Sequence, residues 1–121
     1  MKNKKFVIFF IVLILLVSCV KLSKIVIITP DLDTIADGIY RGNSKVGPVR
    51  VTLDVTVTDK IMTSIKIIQH FNGRGKKAEA IVPSIINAQT LDVDVVSGAT
   101  ASSKAILKAV EDALTGSNSI D

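Results

Sequence analysis

The sequence predicts an α+β domain, in which an antiparallel β-meander carries helices on one face. Segments with alternating apolar and polar residues come first along the domain, and segments with apolar residues at helical spacing follow them. Because strands precede helices and no internal repeat is visible, one sheet covered on one side by helices accounts for both apolar patterns. The length of 121 residues is sufficient for one compact domain.

The strands are predicted from residue 38 onward. Residues 51–58 alternate valine or leucine with threonine or aspartate, which is the pattern of a half-buried strand. A first strand is expected at 38–42, and Gly47-Pro48 marks a turn after it. Asp59-Lys60 is short enough for a hairpin into a third strand over 61–70. These elements together form the meander.

The helices are predicted in the second half of the domain. Apolar residues recur at helical spacing over 78–88, where Pro83 is expected to divide the segment and to begin a second helical piece. Ser102 or Ser103 is expected to cap a last helix that ends near Gly116.

The N-terminus has the pattern of an export signal. Basic residues within 1–5 precede an unbroken apolar run over 6–17, and Leu-Val-Ser then leads directly to Cys19. This order resembles a bacterial lipoprotein processing site, where Cys19 would be lipidated. An uncleaved helical anchor and free secretion are the alternatives, although Lys21 ends the apolar run short of the roughly 20 residues that a span needs. All three export the domain to the extracytoplasmic side.

Composition excludes several classes of function. The formal net charge is +4, but three of the basic residues lie ahead of the apolar run, so the remainder is close to neutral and nucleic-acid binding is not supported. Cys19 is the single cysteine and His70 the single histidine, which disfavours a zinc enzyme and excludes an intrachain disulfide. His70 is expected to end its strand in contact with solvent.

Two loops offer groups for an anion. Residues 72–77 form a glycine-rich basic loop, for which a solvated surface is favoured over a phosphate site because one Gly-X-Gly is not a fingerprint. Before the last helix, Gly98 lets a ligand approach the main chain, Ala99 adds no bulk, and free helical amides favour a phosphate. Hydroxyls close to that site are offered by Ser97, Thr100, Ser102 and Ser103.

The same residues suit an ordinary capped turn before a helix. A hydrolase is disfavoured, because no base and orienting group are assigned to a threonine nucleophile. If Thr100 reacts, a separate enzyme is expected to activate it.

Asp94-Val-Val-Ser97-Gly98-Ala99-Thr100-Ala-Ser102 closely resembles the flavinylation motif of the FMN-binding domain family. This family includes domains of the sodium-translocating NADH:quinone reductase and of the Rnf complex. The likeness extends over 37–42, 51–68 and 88–89, and covers most of the chain from about residue 31 to 114.

The resemblance implies FMN on Thr100 through a phosphoester, placed there by a magnesium-dependent flavin transferase that consumes FAD. It also implies that Asp94 is the motif acid and that Ser97 and Gly98 shape the loop. Two features depart from the family: Ser102 stands where threonine is common, and 72–77 replaces an acidic Pro-Gly loop.

The expected function is an extracytoplasmic, membrane-tethered electron carrier with a membrane redox partner. Tyr40 and Phe71 are the domain's only aromatic residues, so the flavin ring is expected against aliphatic side chains and partly exposed. The competing class is an exported lipoprotein that binds FMN non-covalently or binds a protein, and a substrate-reducing flavoenzyme has little support. The expected organisation is a signal or anchor at 1–18, a tether at 19–30, the FMN-binding domain at 31–116 and a tail at 117–121.

Overall fold

A computed structural model describes residues 3–12, 26–71 and 75–116. Residues 3–12 are helical and are called α1. The strands are β1 (Gly38–Val46), β2 (Val49–Thr58) and β3 (Ile61–Phe71), and the later helices are α2 (Ile81–Ala88) and α3 (Thr100–Thr115). Two short 3₁₀-helices cover Leu32–Thr34 and Gly75–Ala80.

The three strands form one antiparallel sheet in the order β1-β2-β3, which confirms the predicted meander. Two tight turns join them. Gly47 has φ +58° in the first turn, and Asp59 and Lys60 have φ values of 51° and 65° in the second. Positive φ at both central residues is the geometry that matches the twist of a two-residue hairpin. The first strand is longer than predicted, because it continues to Val46 and pairs with Val49.

The core lies between one face of the sheet and α3. Alternate residues of β2 are almost completely buried, as the period-2 pattern predicts, and α3 buries a stripe against them. The buried β2 side chains are Val49, Val51, Leu53, Val55 and Val57, and the buried apolar α3 side chains are Ala105, Ile106, Leu107, Ala109, Val110, Ala113 and Leu114. The helices therefore cover one face of the sheet, as predicted.

Contacts along β1 fix the direction of α3. The Ser44 hydroxyl donates to the carbonyl oxygen of Ala105. Two residues earlier on β1, Gly42 lies against the backbone of Ala109 and Ala113. From Gly42 to Ser44, β1 runs toward its turn with β2, and its contacts on α3 shift toward the N-terminus of the helix. Thr100 therefore lies at the end of the domain that holds this turn.

The connection from β3 to α2 differs from the sequence prediction. Residues 75–77 belong to a 3₁₀-helix rather than a loop, and 72–74 lie outside the described residues. Pro83 does not divide the segment: it is the third residue of α2, where its missing N–H would have no helical partner. The change from 3₁₀ to α geometry occurs instead between Ala80 and Ile81.

The segment before the first 3₁₀-helix lies against the domain. Ile28 donates its N–H to the Glu111 carboxylate at 2.9 Å, and Leu91 donates its N–H to Thr29 Oγ1 at 3.1 Å. Lys108 Nζ donates to the carbonyl oxygen of Val26 at 3.3 Å. Residues 26–30, expected to belong to the tether, thus contact α3 and the segment after α2.

Most of the N-terminal prediction falls outside the structure. Residues 13–25, including Cys19, and the 117–121 tail are not among the described residues. Among those that are described, no helix combines the length and the apolar character needed to cross a membrane.

Candidate functional site

A tight turn precedes α3. Ala99 donates its N–H to the carbonyl oxygen of Val96 at 3.0 Å, which closes a four-residue turn. Gly98, the third residue of this turn, has φ +78°. A type II turn requires that conformation at its third position, and glycine adopts it without a Cβ penalty. The sequence motif therefore forms a sharp approach to the helix.

Thr100 is the first residue of α3, and its side chain is exposed. Ala99 occupies the N-cap position, and no side chain in the described part of the chain caps the helix. The capping prediction for Ser102 or Ser103 was therefore wrong: both lie inside the first turn. The N–H of Ser103 is bonded to the Ala99 carbonyl, so the amides of Thr100, Ala101 and Ser102 precede the first helical hydrogen bond. Of these three residues, Thr100 and Ala101 are exposed, so their amides are available to an anion.

Ser103 holds the turn against the helix. Its hydroxyl donates to the Ala99 carbonyl at 2.7 Å and accepts the N–H of Val96 at 3.0 Å. The side chain is completely buried. One hydroxyl thus satisfies backbone groups on both sides of Gly98 and fixes the position of Thr100.

The other predicted site residues separate into two groups. Ser97, Gly98, Asp94 and Thr100 are exposed, and they surround the start of α3 in sequence. Ala99 and Ser102 are 8% and 3% exposed, so they face the core. The Ser102 hydroxyl, expected near the ligand, lies on the buried side of the first turn.

Lys77 lies next to this turn. A Cβ built at Gly98 would lie 2.8 Å from Lys77 Nζ and 3.4 Å from its Cε. The ammonium therefore occupies the space that a side chain at position 98 would fill. The sequence analysis favoured a solvated surface over a phosphate site for the basic loop that contains Lys77, because no sequence pattern links this loop to the motif before α3.

His70 is buried rather than solvated, so that expectation was wrong. Its side chain is 5% exposed, Nδ1 lies 3.5 Å from Glu79 Oε1, and Nε2 is buried with no hydrogen-bond partner among the described residues. The register explains this burial: His70 pairs with Val51, which faces the core, so both side chains lie on the helix-covered face.

The opposite face of the sheet carries polar side chains. Arg41 and Asp54 form a two-point ion pair there, with Nε and Nη2 at 2.8 and 3.0 Å from the carboxylate oxygens. The bonded guanidinium lowers the pKa of Asp54 below its ordinary value, and the carboxylate raises the pKa of Arg41. A cleft of about 450 Å³ on this face is lined by Lys45, Gly47, Pro48, Arg50 and Gln69.

Comparison with known proteins identifies the family and its cofactor. The sequence model of the FMN-binding domain family matches residues 45–115, more than half of the chain. The chain belongs to the FMN-binding domain family. The match includes the whole of β2, β3 and α3, and therefore the turn and Thr100. FMN is the cofactor that the family binds.

This FMN-binding domain is also similar to an uncharacterized protein of Treponema pallidum (strain Nichols). The two sequences are 32% identical over 78 residues. That stretch is 62% of this chain and 22% of the relative, so the chain spans about a fifth of the relative's length.

The residues around Thr100 fit the phosphate end of FMN. Amides at a helix N-terminus, a glycine with positive φ and a nearby ammonium are the groups that hold phosphates in proteins. Tyr40 does not extend this site: its hydroxyl donates to the Ala36 carbonyl at 2.6 Å, and it lies beyond Gly42 on β1, toward the C-terminus of α3. The side chain of Phe71 lies outside the described residues.

Proposed function

We propose that this FMN-binding domain carries FMN on Thr100 through a phosphoester bond and works as a membrane-tethered, extracytoplasmic electron carrier. One observation carries the covalent part. Thr100 is exposed at the first residue of α3, directly after the turn, where its hydroxyl and the uncapped amides can meet the same phosphate. When bound, FMN supplies the redox chemistry, and the chain supplies position and local charge.

The attachment needs a second protein. A threonine hydroxyl is a weak nucleophile without a positioned base, and no residue of this chain is assigned that role, so an unassisted reaction is unfavourable. In the proposed reaction, a flavin transferase uses FAD and magnesium. An Oγ–P bond forms at Thr100, the phosphoanhydride bond of FAD breaks, AMP leaves, and the hydroxyl proton is released to solvent. An exposed threonine at a helix end is accessible to such an enzyme.

The exposure of the site supports the electron-carrier role. Ser97, Gly98 and Thr100 are all exposed, so a flavin attached there would be accessible to a redox partner. The basic N-terminus, the apolar run and Cys19 support export and attachment to a membrane, where a membrane redox partner would exchange electrons with the domain. Protease treatment of intact cells tests this: digestion of the domain is expected, and complete protection would refute the extracytoplasmic orientation.

Co-expression of the full chain with a flavin transferase tests the covalent link. The wild-type chain and the control Thr58→Ala, which changes an exposed threonine outside the motif, are expected to give a fluorescent band in denaturing electrophoresis, because both keep the Thr100 hydroxyl. Thr100→Ala is expected to lose the band. A fluorescent Thr100→Ala band would move the link to another residue, and an unmodified wild-type chain would refute covalent attachment under these conditions.

The uncapped amides also favour a second candidate, an exported module that binds FMN reversibly. In that case the backbone and not the hydroxyl would hold the phosphate. Thr100→Val separates the two functions. A reversible binder would lose its flavin on denaturation in both the wild type and this variant, with similar FMN affinity in the two. The covalent carrier would keep flavin through denaturation in the wild type and lose it in the variant.

A further inference from the structure

We infer that Lys77 supplies the positive charge that holds the FMN phosphate at the α3 N-terminus. This inference rests on the proposed attachment at Thr100. It joins two parts of the chain that are distant in sequence: the 3₁₀-helix after β3, which carries Lys77, and the turn that carries Gly98.

The position of the ammonium supports this role. Lys77 Nζ would lie 2.8 Å from a Cβ at position 98, so it packs directly on the glycine of the turn. Gly98 is two residues before Thr100, and the intervening Ala99 is buried and leaves the outer surface of the turn open. The ammonium therefore lies on the surface of the turn that leads to the hydroxyl and the free amides.

The charge of Lys77 is available for a ligand. Among the described residues, the ion pairs involve Arg41, His70 and Lys108, and no carboxylate lies within ion-pair distance of Lys77. Glu79, on the same 3₁₀-helix, is directed to His70 instead. An FMN phosphodiester on Thr100 has one negative charge, which one ammonium can neutralise without desolvating a second partner.

Gly98 has a second role in this arrangement. The turn needs glycine for its φ of +78°, and the ammonium needs the space that a Cβ would fill. The same residue thus sets the direction of the chain into α3 and lets Lys77 reach the site. The neighbouring Lys76 is also exposed and has the same charge, but no contact with Gly98 is found for it, which makes it a matched control.

The first experiment measures how fast a flavin transferase attaches FMN to the full chain, by intact mass over time. Lys77→Met is expected to slow attachment about tenfold, the effect of one charge-assisted hydrogen bond at an exposed site. Lys76→Met is expected to stay within about twofold of the wild type, and Lys77→Arg to restore most of the rate because it keeps the charge. Equal rates in the two methionine variants, fast or slow, would overturn the assignment.

A second experiment needs no flavin and no transferase. Inorganic phosphate is titrated into the unmodified chain, and the amide NMR signals of Thr100, Ala101 and Ser102 are followed. These signals are expected to shift in the wild type and in Lys76→Met, and to shift at about tenfold higher phosphate in Lys77→Met. Identical titrations in both variants, or no shift in the wild type, would overturn the role of Lys77.

The two experiments separate the inference from the proposed function. If the wild type takes up no flavin but its amides respond to phosphate through Lys77, covalent attachment fails and the phosphate site stands. If Thr100 is modified equally fast with and without Lys77, attachment stands and the assignment of Lys77 fails.

Discussion

The close approach of α3 to β1 depends on the absence of a side chain at Gly42. A Cβ there would lie 1.9 Å from the carbonyl oxygen of Ala109, 2.7 Å from the N of Ala113 and 2.8 Å from its Cβ. Two of these three atoms are backbone atoms of a buried helix, which no rotamer change can move. Because carbon and oxygen normally approach to about 3.3 Å, Gly42→Ala must push α3 away from the sheet by roughly 1.4 Å at this point.

The cost follows from the size of that displacement. Adding atoms to a well-packed core costs about 1–3 kcal/mol, and a gap of an ångström removes up to about half of each dispersion contact beside it. Gly42→Ala is therefore expected to lower the free energy of unfolding by about 3 kcal/mol or more. Gly47→Ala is the matched control: its φ is +58°, but no atom of the described residues lies within 4 Å of the new Cβ, so only backbone strain of about 1 kcal/mol is expected.

Urea unfolding of the purified chain, followed by circular dichroism, measures both costs. The expected order of stability is wild type, then Gly47→Ala, then Gly42→Ala, with nearly equal slopes against denaturant. If Gly42→Ala were as stable as Gly47→Ala, the direct packing of α3 on β1 would be refuted, and with it the location of Thr100 at the end of the domain that holds the β1–β2 turn.

Three further predictions concern individual polar groups. Ser103→Ala removes both hydrogen bonds between the Ser103 hydroxyl and the turn, and is expected to lower the free energy of unfolding in urea by about 1–3 kcal/mol. Ser102→Ala is expected to lower it less, and equal losses would contradict the role of Ser103 in holding the turn. Asp54→Asn is expected to cause a small loss of stability at pH values above 3.8, the ordinary pKa of Asp54. The loss should vanish as the pH falls through the lowered pKa that Asp54 has in the folded chain, because only the ionised carboxylate pairs with Arg41. A difference from the wild type that grows in acid would contradict this prediction. His70→Leu removes a buried nitrogen without a described partner and also the 3.5 Å contact of Nδ1 with Glu79, so the free energy of unfolding is expected to change by less than about 1 kcal/mol. A loss above about 2 kcal/mol would show that the polar contacts of His70 stabilise the fold.

The sheet could be predicted because its signals are local. Alternation over β2 fixes which face is buried, and the two turns have residues that tolerate positive φ. The boundaries were less predictable. Composition did not reveal that Pro83 would be the third residue of α2. It also did not reveal that α3 starts at Thr100, because the Ser103 hydroxyl bonds to the turn from inside the helix instead of capping it.

The site could be predicted only in part. The motif identified Thr100, Ser97 and Gly98 because they are contiguous. Two other features depend on how distant segments pack. Lys77 reaches Gly98 because a 3₁₀-helix follows β3, and His70 is buried because its register pairs it with Val51. A single sequence carries no periodic signal for either contact.

The most direct test of the central claim is the location of flavin in the chain purified from its own membranes. Proteolysis followed by tandem mass spectrometry is expected to find the peptide that contains Thr100 heavier by one FMN less one water, with the modification on Thr100 itself. A Thr100 peptide without this addition, in a preparation that carries flavin on another residue or no flavin, would contradict the claim.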